Sequence, residues 1–312
     1  MKFESLNTEK GGKISNYSTN IYGIIWALLA GLLFTLMMAL VKTLGSSFPI
    51  VEIVFFRSSV QLVVMLVICK RIGFSTLSTR QPLLQAMRAL IAVALINCNF
   101  YAFAKMPMAD VTAIGFSRNL FIIVLAILFL KERPGFHRLV VTVVGFLGIL
   151  VIVRPGSGVF EGVALVALAG ACLGACMMTL IRKLTSTDSN IALMTYHSIA
   201  VVAAVTIPTS MVWVTPTLYE ILLLLAMAGV GIMGQWCMIQ AFRRGEATAV
   251  APASYVRLIY ATILGFLLFK EIPDLFTISG AILIVGSNLY LVMQENRVKR
   301  RGPAHPVPGE MP

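Results

Sequence analysis

Apolar residues in this chain do not alternate with polar ones at the spacing of a half-buried strand or an amphipathic helix. They run in unbroken blocks of about 18 to 24 residues, the length of helix that crosses a ~30 Å hydrocarbon core. Ten blocks can be delimited, at residues 21–42, 50–69, 83–104, 108–130, 138–153, 160–181, 190–212, 217–242, 247–269 and 274–293. Together they predict an all-α integral membrane protein with ten transmembrane helices and no soluble domain. Residues 1–20 are polar and read as a loose tail. The stretch from Arg297 onward is basic and then rich in proline (Pro303, Pro306, Pro308), a composition that predicts disorder. The first block is longer than a signal-peptide core and lacks a small-residue cleavage site after it, so it is expected to be retained.

Composition agrees with the pattern: 58% of residues are hydrophobic, 12% are charged, and the mean hydropathy is +0.90. A soluble domain carries about twice that share of charge. The formal net charge of +12 raises nucleic-acid binding as a question. The basic residues, however, lie in short connections between apolar blocks rather than on one face of a folded domain, so no nucleic-acid partner is expected. Of the 25 lysines and arginines, seventeen fall in segments on the side of the N-terminus and four (Lys42, Lys105, Arg154, Lys270) on the other. That bias puts both termini in the cytoplasm, which requires an even number of spans. Trp26 and Trp213 suit the two interfacial belts. The five cysteines lie in or beside apolar blocks without a CxxC pair or an accompanying His–carboxylate set, so they read as packing residues and no metal site is expected.

The chain also repeats. A shift of 139 residues lays Gly23 on Gly162, Ala30-Gly31 on Ala169-Gly170, Ala102-Phe103 on Ala241-Phe242, Arg118 on Arg257, Lys131-Glu132 on Lys270-Glu271 and Pro134 on Pro273. With one inserted residue, Met37-Met38 meets Met177-Met178, Lys42 meets Arg182, and Arg57 meets His197. The boundaries that follow are a cytoplasmic tail (1–20), a first repeat with spans one to five (21–155), a second with spans six to ten (156–293) and a basic cytoplasmic tail (294–312). Five is odd, so the second copy enters the membrane from the opposite side. The predicted fold is two inverted five-helix repeats, an architecture on which secondary transporters are built.

The segments AFAKMPMADVTAIGFSRNLF, LFLKERPG and VGFLGILVIVRPG, with AFRRGEATAVAPASYVRLIY and LFKEIPD in the second half, resemble the EamA repeat of the drug/metabolite transporter superfamily. The resemblance covers about residues 21–293. It implies a multi-pass protein of the bacterial inner membrane that moves small metabolites through a central cavity lined by the first four helices of each half. Relatives of this kind include exporters and importers, among them carriers of riboflavin and S-adenosylmethionine. The second copy departs from the first at His197, opposite Arg57, and at Met227, opposite Arg88.

Candidate site residues follow from ionisable groups placed inside spans. A central arginine costs about 2.5–3.5 kcal/mol on the insertion scale, so such residues tend to mark function. Arg57, Arg88, Arg118 and Arg257 are of this kind, and no Asp or Glu lies mid-span. The functional reading is a positive interior that draws a substrate bearing a carboxylate, a phosphate or an acidic ring. The bland reading is that each guanidinium caps carbonyls or snorkels, as Arg88 can near a helix end, or pairs locally, as Arg57 can with Glu52. Polar and aromatic residues gather on spans three, four, eight and nine: Asn97, Asn99, Tyr101, Ser117, Asn119, Gln235, Trp236, Gln240, Ser254, Tyr255 and Tyr260. Of these, Asn97, Tyr101, Trp236, Gln240 and Tyr255 join the four arginines as the predicted substrate-binding set; cross-helix packing is the alternative. Pro252, whose repeat counterpart lies two residues before Gly115, predicts a bend serving gating, with a static kink as the alternative. His197 reads as hydrogen-bonded structure. Glu132 and Glu271 read as helix-end residues bonding backbone amides.

Residues 229–234 spell GxGxxG, yet inside a span and without a preceding strand, which reads as close helix packing, as does the Gly170-xxx-Gly174 pair. No HExxH, GxSxG or GxxxxGK[ST] occurs, so no enzyme, cofactor or ATP hydrolysis is expected. The prediction is a secondary transporter of a small polar metabolite, anionic or zwitterionic, by alternating access, with export favoured slightly. Uptake of a vitamin- or cofactor-like molecule is the runner-up, and a non-transporting scaffold or receptor is the alternative of another class. Membrane lipid is the expected surround, and a homodimer is left open.

Overall fold

The computed structural model describes residues 5–130, 136–154, 161–184, 188–244, 253 and 255–300. Among them the chain is helical, in α1 (Ser5–Leu44), α2 (Ile50–Ile72), α3 (Pro82–Lys105), α4 (Met108–Gly115), α5 (Arg118–Leu130), α6 (Phe136–Val153), α7 (Glu161–Leu184), α8 (Asn190–Met211), α9 (Leu218–Arg244), α10 (Val256–Phe269) and α11 (Leu275–Arg300), with one short 3-10 turn at Phe74–Leu77. Six helices (α1, α2, α3, α7, α8, α9) have the length and apolarity to cross a membrane, and Val140–Val153, Val256–Phe269 and Leu275–Tyr290 are shorter apolar helices. The sequence signals at their ends are those expected. Pro82 opens α3, Ser189 caps α8 by accepting a hydrogen bond from the Ala192 amide at 3.0 Å, and Gly73 ends α2 at a φ of 110°.

Two predicted boundaries differ. Helix α1 begins at Ser5 and α11 continues to Arg300, so helix extends into stretches read as a loose tail and a disordered one. Neither extension contains proline, and polar composition alone does not forbid a helix. The predicted span 108–130 is also not continuous. Phe116 and Ser117 break it between α4 and α5, where the amides of Phe116 and Ser117 turn back to Ala113 O and Ile114 O and the Ser117 hydroxyl donates to Ile114 O at 2.6 Å. Tight i→i−3 bonding and a serine competing for a helix carbonyl together interrupt the α-helical ladder.

Leu90, Ile207, Leu218 and Leu267 are among the large apolar side chains exposed along the helices, while the interior mixes large side chains such as Phe100, Ile53 and Met108 with alanines. On α7, Ala164, Ala167, Ala171 and Ala175 form a buried seam, letting that helix lie close against α3. Close approach of backbones is the main source of helix association where lipid offers no hydrophobic drive. Gly148 of α6 and Gly280 of α11 show it most plainly: a Cβ on either would fall 2.8 or 2.6 Å from the other's carbonyl oxygen.

The two halves interlock. Helix α1 packs on α9 and α3 on α7; α1 on α10 and α5 on α7; α2 on α9 and α3 on α8. Each pair becomes the next when the repeats are exchanged. Helices α2 and α8, α4 and α10, and α6 and α11 pack on their own counterparts or the same span's counterpart.

Candidate functional site

The break between α4 and α5 lies beside the start of α10. Tyr255, which the 139-residue shift lays on Phe116, precedes α10 with nearly the same backbone (φ −71°, ψ −20°, against −70° and −17° for Phe116). The two rings face each other, centroids 4.8 Å apart. Asn119 Nδ2 donates to the Tyr255 hydroxyl at 3.1 Å. Two residues beyond each aromatic come Arg118 and Arg257, so the repeat-equivalent arginines flank this ring contact. A Cβ on Gly115, at the end of α4, would meet nothing within 4 Å, so open space adjoins this point. Pro252, the other residue assigned to gating, lies outside the described residues.

The arginines are equivalent in sequence but not in surroundings. Arg257 lies against α1: its guanidinium is 5.9 Å from the centroid of the Phe34 ring, and Gly31 leaves room for Arg257 and Tyr260. Its Nε is sealed from solvent without a hydrogen-bond partner. Arg118 lies against α7, where a Cβ on Gly174 would fall 2.9 Å from Arg118 Cδ. Its side chain is exposed. A ring thus covers one guanidinium, and a glycine on the other side leaves its twin open.

Arg57 of α2 lies one turn further along α1. Its guanidinium is 5.9 Å from the Phe100 ring centroid, and both Nε and Nη1 are sealed without partners. Glu52, the local partner anticipated for it, is fully buried and instead accepts the Val214 amide at 3.1 Å. The amide of an exposed chain turn outcompeted a side chain on the same helix. Arg88 is buried and gives Nη1 to Leu193 O of α8 at 2.7 Å, leaving Nε unpartnered. His197, one turn beyond Leu193, is within electrostatic range of both Arg57 and Arg88.

Four residues of the predicted binding set fall elsewhere. Tyr101 shares an exposed stripe of α3 with Leu83, Met87 and Leu90. Asn97, one turn before it on the same stripe, turns its amide back to Val93 O at 2.9 Å. Trp236 belongs to the equivalent stripe of α9, with Leu218, Leu222, Leu225 and Met233, and makes an edge-to-face pair with Trp26 at 5.1 Å. Gln240 follows one turn on. These stripes are largely apolar and exposed. The spacing 83, 87, 90, 97, 101 held that information; polarity alone hid it. Two residues the prediction did not single out complete the centre, Phe34 covering Arg257 and Phe116 meeting Tyr255, while Gly174, read as a packing glycine, lies against Arg118. Within GxGxxG, Gly231 and Gly234 pack on Met37, Leu33 and Phe34 of α1, while Gly229 faces open space.

The ends of the bundle carry the carboxylates. At one end Glu271 forms an ion pair with Lys42, accepts the Met108 amide at 2.9 Å, and lies against Gly265. Lys42 also donates to Met106 O at 2.7 Å. The helix-end amide bonding expected of Glu271 is therefore present, but its partner is the other half; Glu132 lies outside the described residues. Arg154 pairs with Asp274, and the Thr277 hydroxyl joins Asp110 (2.7 Å) and Asp274 (2.9 Å) in a cleft between α4, α6 and α11. That cleft is remote from the four arginines. At the opposite end Asp188 accepts from Thr79 (2.6 Å) and Gln85 (2.8 Å).

The comparisons with known proteins bear on this arrangement. A model described as the EamA-like transporter family matches residues 21–154 and again 161–293. The S-adenosylmethionine uptake transporter of Rickettsia bellii is 31% identical over 276 residues, covering 88% of this chain and 94% of the relative. The pseudopaline exporter of Pseudomonas aeruginosa is 34% identical over 270 residues, 84% of this chain and 93% of the relative. The riboflavin transporter of Vibrio cholerae is 27% identical, with 90% and 96% covered. A crystal structure with 16% identity shares the fold, at a TM-score of 0.61 over 91% of this chain and 99% of the other. A chain of apolar helices in two sequence repeats, matched twice over by one family and along nearly its whole length by carriers, is a multi-pass membrane protein belonging to the EamA-like transporter family.

Proposed function

We propose that this transporter carries a small metabolite with at least one acidic group by alternating access, through ten spans arranged as two inverted halves in a bacterial inner membrane. The observation that carries the reading is the placement of Arg118 and Arg257 on either side of the Phe116–Tyr255 contact, with no ion-pair partner for either among the described residues and every carboxylate of the sequence near a span end or beyond it. A cation inside a membrane span without a counter-ion is costly, a cost a bound anion offsets through forked, charge-assisted hydrogen bonds. The open Arg118 is the first contact; Asn119 and the Tyr255 hydroxyl lie beside it as neutral donors and acceptors. Non-helical backbone at membrane depth is tolerated where it lines a wet cavity, which suits the Phe116–Ser117 break.

Export is the favoured direction. Uptake of a cofactor-like molecule is the second reading, and the Rickettsia relatives favour it. S-adenosylmethionine has a carboxylate the guanidiniums could hold, but its sulfonium would find no mid-span carboxylate.

The test is counterflow in oriented proteoliposomes, using acidic and zwitterionic metabolites that differ in abundance between cells with and without the gene. Arg118→Gln is expected to lower flux about tenfold or more while leaving membrane abundance unchanged. Arg257→Gln is expected to lower flux as well, by less. Undiminished flux in both variants removes the site from consideration.

A further inference from the structure

We infer that Asn99 of α3 is a second polar contact for the substrate, an acceptor that favours acids carrying an amine or hydroxyl over acids without one. This rests on the reading of Arg118 as the anion contact. Helix α7 joins the two residues. A Cβ on Gly174 would fall 2.9 Å from Arg118 Cδ and 3.8 Å from Leu95 Cδ1. One turn earlier on the same face, a Cβ on Gly170 would fall 3.2 Å from Asn99 Oδ1. Leu95 and Asn99 are themselves one turn apart on α3. Asn99 and Arg118 therefore lie against one face of α7, offset by four residues, about 6 Å along its axis.

Asn99 is also left unspent by the fold. Asn97, two residues before it, turns its amide back to Val93 O. Asn99 is partly buried, and among the described residues its carboxamide makes no hydrogen bond. Asp110 of α4 and Ala164 of α7 line one cleft, so α4 and α7 run in the same direction. Gly115, three residues before Arg118, is thus displaced from it toward the level of Asn99, and nothing lies within 4 Å of its Cβ position. Arg118 offers donors only and takes the acidic group. The Asn99 carbonyl supplies the acceptor that Arg118 lacks. A bare acid leaves that acceptor unsatisfied, whereas an ammonium or hydroxyl on the same molecule fills it.

Matched probes separate the two contacts. The purified full-length protein in detergent is heated with butanoate and with its 2-, 3- and 4-amino derivatives. At least one amino derivative is expected to raise the melting temperature at about tenfold lower concentration than butanoate, the effect of one hydrogen bond from a charged donor. In Asn99→Ala that advantage disappears and the butanoate response stays. Asn99→Leu, which keeps the volume, is read in the same way where Asn99→Ala does not fold. Arg118→Gln abolishes all four responses. Amino derivatives that do no better than butanoate in the unaltered protein, or an advantage that survives the Asn99 substitutions, overturn the role of Asn99 and leave Arg118 standing. No response to any of the four, with both residues intact, overturns the Arg118 contact and this inference with it.

Discussion

Gly174 sets how much of Arg118 is open, because a methyl group there would sit 2.9 Å from Arg118 Cδ and push the side chain toward the cavity. At Gly31, beside Arg257, an added methyl meets Tyr260 at 3.6 Å, an ordinary contact. Gly174→Ala is therefore expected to lower flux severalfold with an unchanged melting temperature. Gly31→Ala should keep flux and gain up to about 1 kcal/mol from helix propensity. Equal flux in the two variants removes the proposed role of Gly174. Charge alone marked Arg118 and Arg257 in the sequence, since a guanidinium in an apolar block has few bland explanations. What each meets was not legible, because Phe34 is an ordinary membrane-span residue and Gly174 reads only as a packing glycine until the fold brings them across. Tyr101 and Trp236 are exposed on helix faces shared with Leu90 and Leu225, an angular position that their polarity does not reveal.

Helix ends show where a whole span is held. Lys42, Met106 O, the Met108 amide and Glu271 tie α1 and the α3–α4 corner of one half to the end of α10 in the other. Lys270, at a φ of 56°, makes the left-handed turn that aims Glu271 back across Gly265. Both charged side chains are largely buried, 13% and 18% exposed, so removing one leaves the other without compensation. Glu271→Gln is expected to cost about 3 kcal/mol of stability at that end. A cysteine placed at Met106 should then react faster with a membrane-impermeant maleimide, and unchanged labelling argues against the tie. The K-E repeat made Glu271 legible as a helix-end residue. Its partner half was not legible, nor was the break at Phe116, because 108–130 reads as one apolar run and only the tertiary contact of Phe116 with Tyr255 favours interrupting it.

Across the molecule, most of the helix pairings persist when the halves are exchanged: α1 on α9 becomes α7 on α3, and α1 on α10 becomes α7 on α5. Such an exchange of roles is what an inverted carrier needs, since each half can adopt the other's arrangement and so reverse which end is open. The structure also fixes which connections share an end without saying which compartment that end faces. Thr79, after α2, and Asp188, before α8, are joined by a 2.6 Å hydrogen bond, so their connections lie together. Glu52 and Val214 likewise lie together, at the far end of the same two helices. The lysine and arginine bias predicts that the Thr79–Asp188 end faces the cytoplasm. Reporter fusions at 79 and 188 are expected to give cytoplasmic fluorescence, and fusions at 47 and 214 periplasmic phosphatase activity. A split result, with 79 and 188 on opposite sides, cannot be reconciled with the Thr79–Asp188 bond. A uniform reversal would leave the bundle intact but exchange the proposed inward and outward ends, and with them the side from which Arg118 first meets its anion.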